Sequence, residues 1–302
     1  MKLISTPSRF LGALFLFTAL TVISCKKETS GATDNDKQEA SLATAESNAE
    51  AEFVFNDVFD NVMGVNNDVG MQGTGVFGRF INTNSASERP ASCFTVAITQ
   101  LEAPSVFPLQ IVIDFGTGCE GRDGHVRRGK IIATYTGRLI VAGKKATTVF
   151  DGFYIDSIKV EGSETIANTS TGGIRQFTVD VDKAKLSKPN GNYTEWNNHK
   201  IITQTEGLAT PEIALDDGFT IEGNSNGRMK RNDLLATWES VIDVPLVKEF
   251  ICRWIVKGVI KTTLGAGSSG NAWVAVLDYG QGDCDRYATV TINGTAHEIS
   301  LH

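Results

Sequence analysis

Leu109-Gln110-Ile111-Val112-Ile113-Asp114-Phe115-Gly116-Thr117-Gly118-Cys119 decides the fold of this chain. Its first seven residues follow the period of two that belongs to a strand, and glycines then break the run. The same period recurs at Ser92–Thr99, Lys130–Thr136, Phe177–Val181, Phe250–Ile260, Trp273–Tyr279 and Ala288–Ile292. Arg122-Asp123-Gly124, Pro189-Asn190-Gly191, Asn226-Gly227 and Asn293-Gly294 read as hairpin turns, because Gly and Asn accept positive φ. The runs alternate instead of being apolar throughout, so many strands should keep one wet face. The expected fold class is all-β, an antiparallel sandwich or stacked-sheet architecture with one N-terminal amphipathic helix.

The opening stretch has a second copy. Ile113-Asp114-Phe115-Gly116-Thr117-Gly118-Cys119 matches Leu277-Asp278-Tyr279-Gly280-Gln281-Gly282-Asp283-Cys284, with one residue added. Cys93 and Cys252 each open an earlier strand. A third echo sets Ile131-Ile132-Ala133-Thr134-Tyr135 beside Leu234-Leu235-Ala236-Thr237-Trp238. The repeat suggests a hairpin stapled near its open end. Four cysteines allow three pairings and chain order cannot choose, but the repeat favours Cys93–Cys119 and Cys252–Cys284.

The fifth cysteine is Cys25. Before it, Met1–Arg9 carries two positive charges and Phe10–Ile23 is an uncharged run, which reads as a signal peptide over 1–24. That apolar run has 14 residues, too few for a spanning helix. Val22-Ile23-Ser24-Cys25 resembles the lipobox of bacterial lipoproteins, which implies lipid on Cys25 and a membrane as partner. Residues 25–50 contain one large aliphatic, Leu42, and are expected to be a flexible tether. Residues 51–68 place Val54, Val58, Phe59 and Val62 at helical spacing, with Asn56, Asp57, Asp60 and Asn61 opposite. The β domain should then fill 69–302, with room for two halves, 69–206 and 207–302.

Composition excludes several functions. The net charge is −7, and without Lys2 and Arg9 it is nearer −9, with 26 basic against 35 acidic side chains. Such a chain suits neither nucleic acid nor docking on anionic lipid. Gly116-Thr117-Gly118-Cys119-Glu120-Gly121 matches a dinucleotide fingerprint but leads into a strand instead of a helix. No metal, cofactor or catalytic residue is expected: His125, His199, His297 and His302 lack ligand spacing, and no nucleophile motif occurs. Asp114 and Asp278 are candidate ligand contacts, weighed against ordinary bonding to their own glycine turns. Trp196 is the tryptophan expected at the surface, since Glu195, Asn197 and Asn198 surround it. Trp254 and Trp273 are expected in the core. Arg127, Arg128 and Lys130 read as a solvated basic strand face.

The lipobox, IDFGTGC, RRGKIIATYTG and the late DYGQGDCDRYATVTING together resemble a group of uncharacterised lipoproteins of Bacteroidota. The resemblance implies fold, export and the two cysteine pairs, and it carries over no functional residue. Lys26 in place of Asp after the lipid site is compatible with the outer membrane. The leading expectation is a membrane-anchored envelope lipoprotein with a non-catalytic structural, adhesion or ligand-binding role. A glycan-binding lipoprotein of a polysaccharide-uptake system is the alternative, and a carbohydrate-active hydrolase stands third. The partners expected are the membrane and a glycan or envelope protein.

Overall fold

The computed structural model describes residues 33–64, 93–121, 123–210, 216–265 and 273–301. One helix, α1 (Asp34–Met63), precedes fourteen strands. These begin with β1 (Thr95–Gln100), β2 (Leu109–Asp114), β3 (Cys119–Glu120), β4 (Val126–Tyr135) and β5 (Lys145–Ile155). The central strands are β6 (Ile158–Asn168), β7 (Gln176–Ser187), β8 (Tyr193–Gln204), β9 (Gly218–Arg231) and β10 (Leu234–Glu249). Last come β11 (Ile255–Leu264), β12 (Val274–Gln281), β13 (Tyr287–Ile292) and β14 (Thr295–Ser300). Each strand pairs antiparallel with its neighbour in sequence, except that β2 pairs β4 directly and β3 pairs β4 alongside. The path ends at β1 and β14 and does not close into a barrel. The all-β antiparallel expectation therefore holds.

The sheet is organised around α1, which touches β5 and every strand from β8 to β13. Val54, Phe55, Val58, Phe59, Val62 and Met63 are at most 2% exposed. Ala49 and Glu50, on the far side of the same helix, are each 6% exposed. A helix that buries polar and apolar sides alike is enclosed, not laid on a surface. The strands supply the inner wall by their period of two: Ile111 and Ile113, Ile131 and Tyr135, Val179 and Val181, Leu277 and Val290 all face the core.

This corrects the tether. Residues 34–50 were expected to be flexible, with the helix confined to 51–68, yet the helix begins at Asp34 and is buried from Ala40 onward. Thr33 caps it: Thr33 Oγ1 accepts from Asp36 N, and the Asp36 carboxylate accepts from Thr33 N at 2.8 Å. Ala40, Ala43, Ala45 and Ala49 let the strands approach closely, and between them Glu46 and Asn48 find partners in the sheet, Arg231 for the first and Trp196, Ser225 and Trp238 for the second. Composition alone undervalued the segment because polar side chains with such partners can be buried. Gly64, at φ 77°, ends the helix. Residues 65–68 lie outside the described residues.

The chain does not divide at residue 206. β8 pairs β9 in continuous register from Tyr193↔Lys230 to Gln204↔Phe219, and one core runs through both halves. Asn226-Gly227, expected as a turn, lies inside β9, and the turn comes at Asn232, which adopts φ 56°. The two staples are formed as the repeat suggested. Cys93–Cys119 (Cα–Cα 5.3 Å) closes the open end of the β1–β2 hairpin, beside Thr95↔Asp114. Cys252–Cys284 (Cα–Cα 5.8 Å) closes the β11–β12 hairpin, beside Lys257↔Gln281. Constraining loops of this size contributes about 3–4 kcal/mol each. The third echo falls on β4, after the first hairpin, and on β10, before the second. It repeats a strand environment, with Tyr135 and Trp238 both buried, and not a chain order.

Gly227 is fixed by packing. A Cβ there would stand 2.3 Å from the Trp238 ring and 2.7 Å from the Glu195 carbonyl oxygen. Gly227→Ala should lower stability by about 2–3 kcal/mol, read as a shift of the urea unfolding midpoint followed by tryptophan fluorescence.

Candidate functional site

The polar groups that distinguish this fold are gathered along α1. Asn48 stands at the first level, where its Oδ1 accepts from Trp196 Nε1 (2.9 Å), Ser225 Oγ (2.8 Å) and Trp238 Nε1 (3.3 Å). An indole N–H can only donate, so the amide orientation is fixed by its neighbours. Trp196 is therefore fully buried, against the expectation of exposure. Its polar neighbours in sequence were misleading because β8 turns Thr194, Trp196, Asn198, Lys200, Ile202 and Gln204 inward. Trp254 and Trp273, expected in the core, are half-buried, while Trp238 is a core residue.

One turn further along the helix, Glu52 accepts a hydrogen bond from Lys200, and both side chains are almost fully buried. Next, Arg127 grips Asp57 through Nε (3.0 Å) and Nη2 (2.5 Å), and Asp123 through Nη1 (3.1 Å) and Nη2 (2.6 Å). Arg253 donates to the Asp123 carbonyl at 2.9 Å, so the β3–β4 and β10–β11 loops meet here. Asp123 is held below its usual pKa: burial pushes it up, but the Arg127 hydrogen bonds and charge outweigh burial. Arg127 is 3% exposed, so the basic run is not one solvated face. Arg127 points inward, Arg128 lies outside against the Tyr154 ring at 3.7 Å, and Lys130 is half-exposed. The signal was present in the sequence, because stepping back by twos from Tyr135, Ala133 and Ile131 reaches Arg127.

The last level holds Asp60 and Lys248, 3.1 Å apart. Burial raises the Asp60 pKa, with Lys248 opposing and Asp57 adding to the rise. Glu164 of β6 faces the same interior, fully buried, and its two oxygens make no hydrogen bond among the described residues. Burial drives its pKa well above 4.5, which Lys200 opposes and Asp60 assists. These pairings align the helix with the sheet.

Asp114 and Asp278 belong to another part of the surface. Asp114 Oδ1 accepts from Gly116 N, and Asp278 Oδ1 from Gly280 N, each at 2.9 Å. They sit on β2 and β12 as equivalent turn-forming groups. Cys25 lies outside the described residues. No group of three or more His, Cys, Asp or Glu among the described residues is placed to hold a metal. A polar cleft of about 380 Å³ opens between α1, the ends of β7 and β9, and β14. In it Glu50 meets Lys188 and Glu46 meets Arg231, both at 2.6 Å, with Glu298 on the β14 side. Chemically the cleft can hold a polar ligand. No protein-family model, curated protein or solved structure matches this chain.

Two outcomes test the interior. Asn48→Ala strands two buried indole donors and should cost about 3–4 kcal/mol, measured by denaturant unfolding. Burial favours the neutral form of Glu164 in the fold, an influence that is lost on unfolding. Its contribution is complete below pH 4.5 and is lost as pH rises through its raised folded value. Glu164→Gln should therefore gain stability relative to the unsubstituted chain as pH rises from 5 to 9. A thermal-unfolding difference that stays flat across that range would contradict the assignment.

Proposed function

We propose that this chain is an exported lipoprotein, held to the outer membrane through lipid on Cys25, whose domain has a non-catalytic structural, adhesion or ligand-binding role. The observation that carries it is the use of the cysteines. Cys93, Cys119, Cys252 and Cys284 form two disulfides, and the fifth cysteine of the sequence, Cys25, follows an apolar run. Disulfides are at home outside the reducing cytosol. The β-sheet domain, with no metal cluster among its described residues, fits a binding or structural role.

The helix changes the mechanics of such an anchor. From Lys26 to the cap at Thr33 there are only eight residues. The next thirty residues form a rod about 45 Å long, enclosed by the sheet. Lipid on Cys25 would thus pull on the centre of the fold, not on a loose tail. The glycan alternative loses its named contact, since Trp196 is buried and bonded to Asn48.

Mass spectrometry of the N-terminal peptide, with phase partition in Triton X-114, tests the proposal. The native chain should begin at an acylated Cys25 and enter the detergent phase, and Cys25→Ala should leave it aqueous with both disulfides intact. Recovery of the native chain unacylated in the aqueous phase would defeat the reading.

A further inference from the structure

In an antiparallel meander the loops alternate between two rims. The turns after β5, β7, β9 and β13 are short and polar: Asp156-Ser157, Lys188–Asn192, Asn232-Asp233 and Asn293-Gly294. The opposite rim carries exposed aliphatic residues, among them Ile140 (36%), Val141 (48%) and Ile174 (55%). Ile140 and Val141 lie in the β4–β5 loop, Thr136–Lys144, and Ile174 lies in the β6–β7 loop, Thr169–Arg175.

These two loops form one built surface. Leu139 is fully buried and its carbonyl accepts from Asn168 Nδ2 at 2.6 Å. Gly143 N donates to the Asn168 carbonyl and Asn168 N to the Lys144 carbonyl, both at 2.8 Å. Val141 N bonds to the Arg138 carbonyl and Lys144 N to that of Val141. Ile140 and Val141 are thus displayed by a fixed turn. Around the three aliphatics stand Arg138, Lys144, Lys145 and Arg175, and the two loops contain no acid. Arg138, Lys144 and Lys145 form no ion pair among the described residues, while Arg175 donates to Gln204 Oε1 at 2.8 Å. Buried Asp217, after β8, accepts from the same Gln204 and interacts with the Arg175 charge, and further acids along the rim lie in neighbouring loops: Glu102 after β1, and Glu206 with Asp216 after β8.

We propose that this patch docks on an anionic lipid surface, its three aliphatics entering the headgroup layer while the four cations meet lipid phosphates. Fixed aliphatics ringed by lysine and arginine suit a fluid, charged, apolar-cored surface. They suit a protein partner less, because protein interfaces favour aromatic residues and deplete lysine. The net charge of −7 hid this local reversal of sign. The inference goes beyond the lipid on Cys25 and does not rest on it. The patch adjoins Tyr135, which bonds the Val62 carbonyl at the far end of α1 from Thr33.

The mature chain carrying Cys25→Ser isolates the patch from the anchor. It should co-sediment with phosphatidylglycerol-containing vesicles, release as salt rises, and ignore pure phosphatidylcholine. Lys144→Gln with Lys145→Gln should weaken binding about thirtyfold, as should Ile140→Ser with Val141→Ser, with circular dichroism unchanged in both. Absence of vesicle binding overturns the proposal, as does binding that survives both double variants. Binding to polyglutamate but not to vesicles, lost in the lysine variant, overturns it in favour of an acidic protein partner.

Discussion

The burial of the polar side of α1 is the constraint on which the rest of the structure depends. Asn48, Glu52, Asp57 and Asp60 each need a partner from the sheet, and three strands supply them: Trp196 and Lys200 from β8, Trp238 and Lys248 from β10, and Arg127 from β4. A buried ion pair adds little net stability over an apolar pair of the same size, but losing one partner costs about 3–5 kcal/mol. A strand slip by one residue would turn Lys200 and Trp196 outward together, leaving Glu52 and Asn48 uncompensated. The charges thus select one register where an all-aliphatic interior would tolerate several.

The disulfides and the glycines serve the same enclosure. Each staple closes a hairpin at its open end, where strand pairing alone is weakest, and the Asp-Gly turns of the two copies shape the chain beside it. Arg253 then joins the loop after β10 to the loop before β4 through Asp123, in the network that holds Asp57. Gly227 allows β9 to pass beneath the Trp238 ring that reaches Asn48. An enclosed helix leaves function to the outside: a polar cleft beside β14, and the loops after β4 and β6, which carry cations and aliphatics and no acid.

Much of the candidate site could have been read with a stricter use of the strand period. Arg127, Trp196, Lys200 and Lys248 all stand an even number of residues from positions that are plainly core, such as Ile131, Ile202 and Leu246. Charge and polarity in their neighbours obscured a signal that was present. The early helix was legible in its cap, Thr33 with Asp36, and in the alanines that follow. It was hidden by a composition that looks disordered when no partner is considered. The pairing of Asp57 with Arg127, 70 residues away, had no local signal.

The sequence by itself determined the strand-rich class, the antiparallel hairpins, the two cysteine pairs favoured by the repeat, and the place of Cys25 as the fifth cysteine. These follow from period, turn chemistry and cysteine count, all properties of neighbouring residues. Only the tertiary structure decided that residues 34–50 are helix, that Trp196 is core, that Arg127 faces inward, and that Arg138, Ile140, Val141, Lys144, Lys145, Ile174 and Arg175 share one patch. Those outcomes turn on which distant groups meet. A polar side chain is solvated or buried according to its partner, and that partner is supplied by the fold.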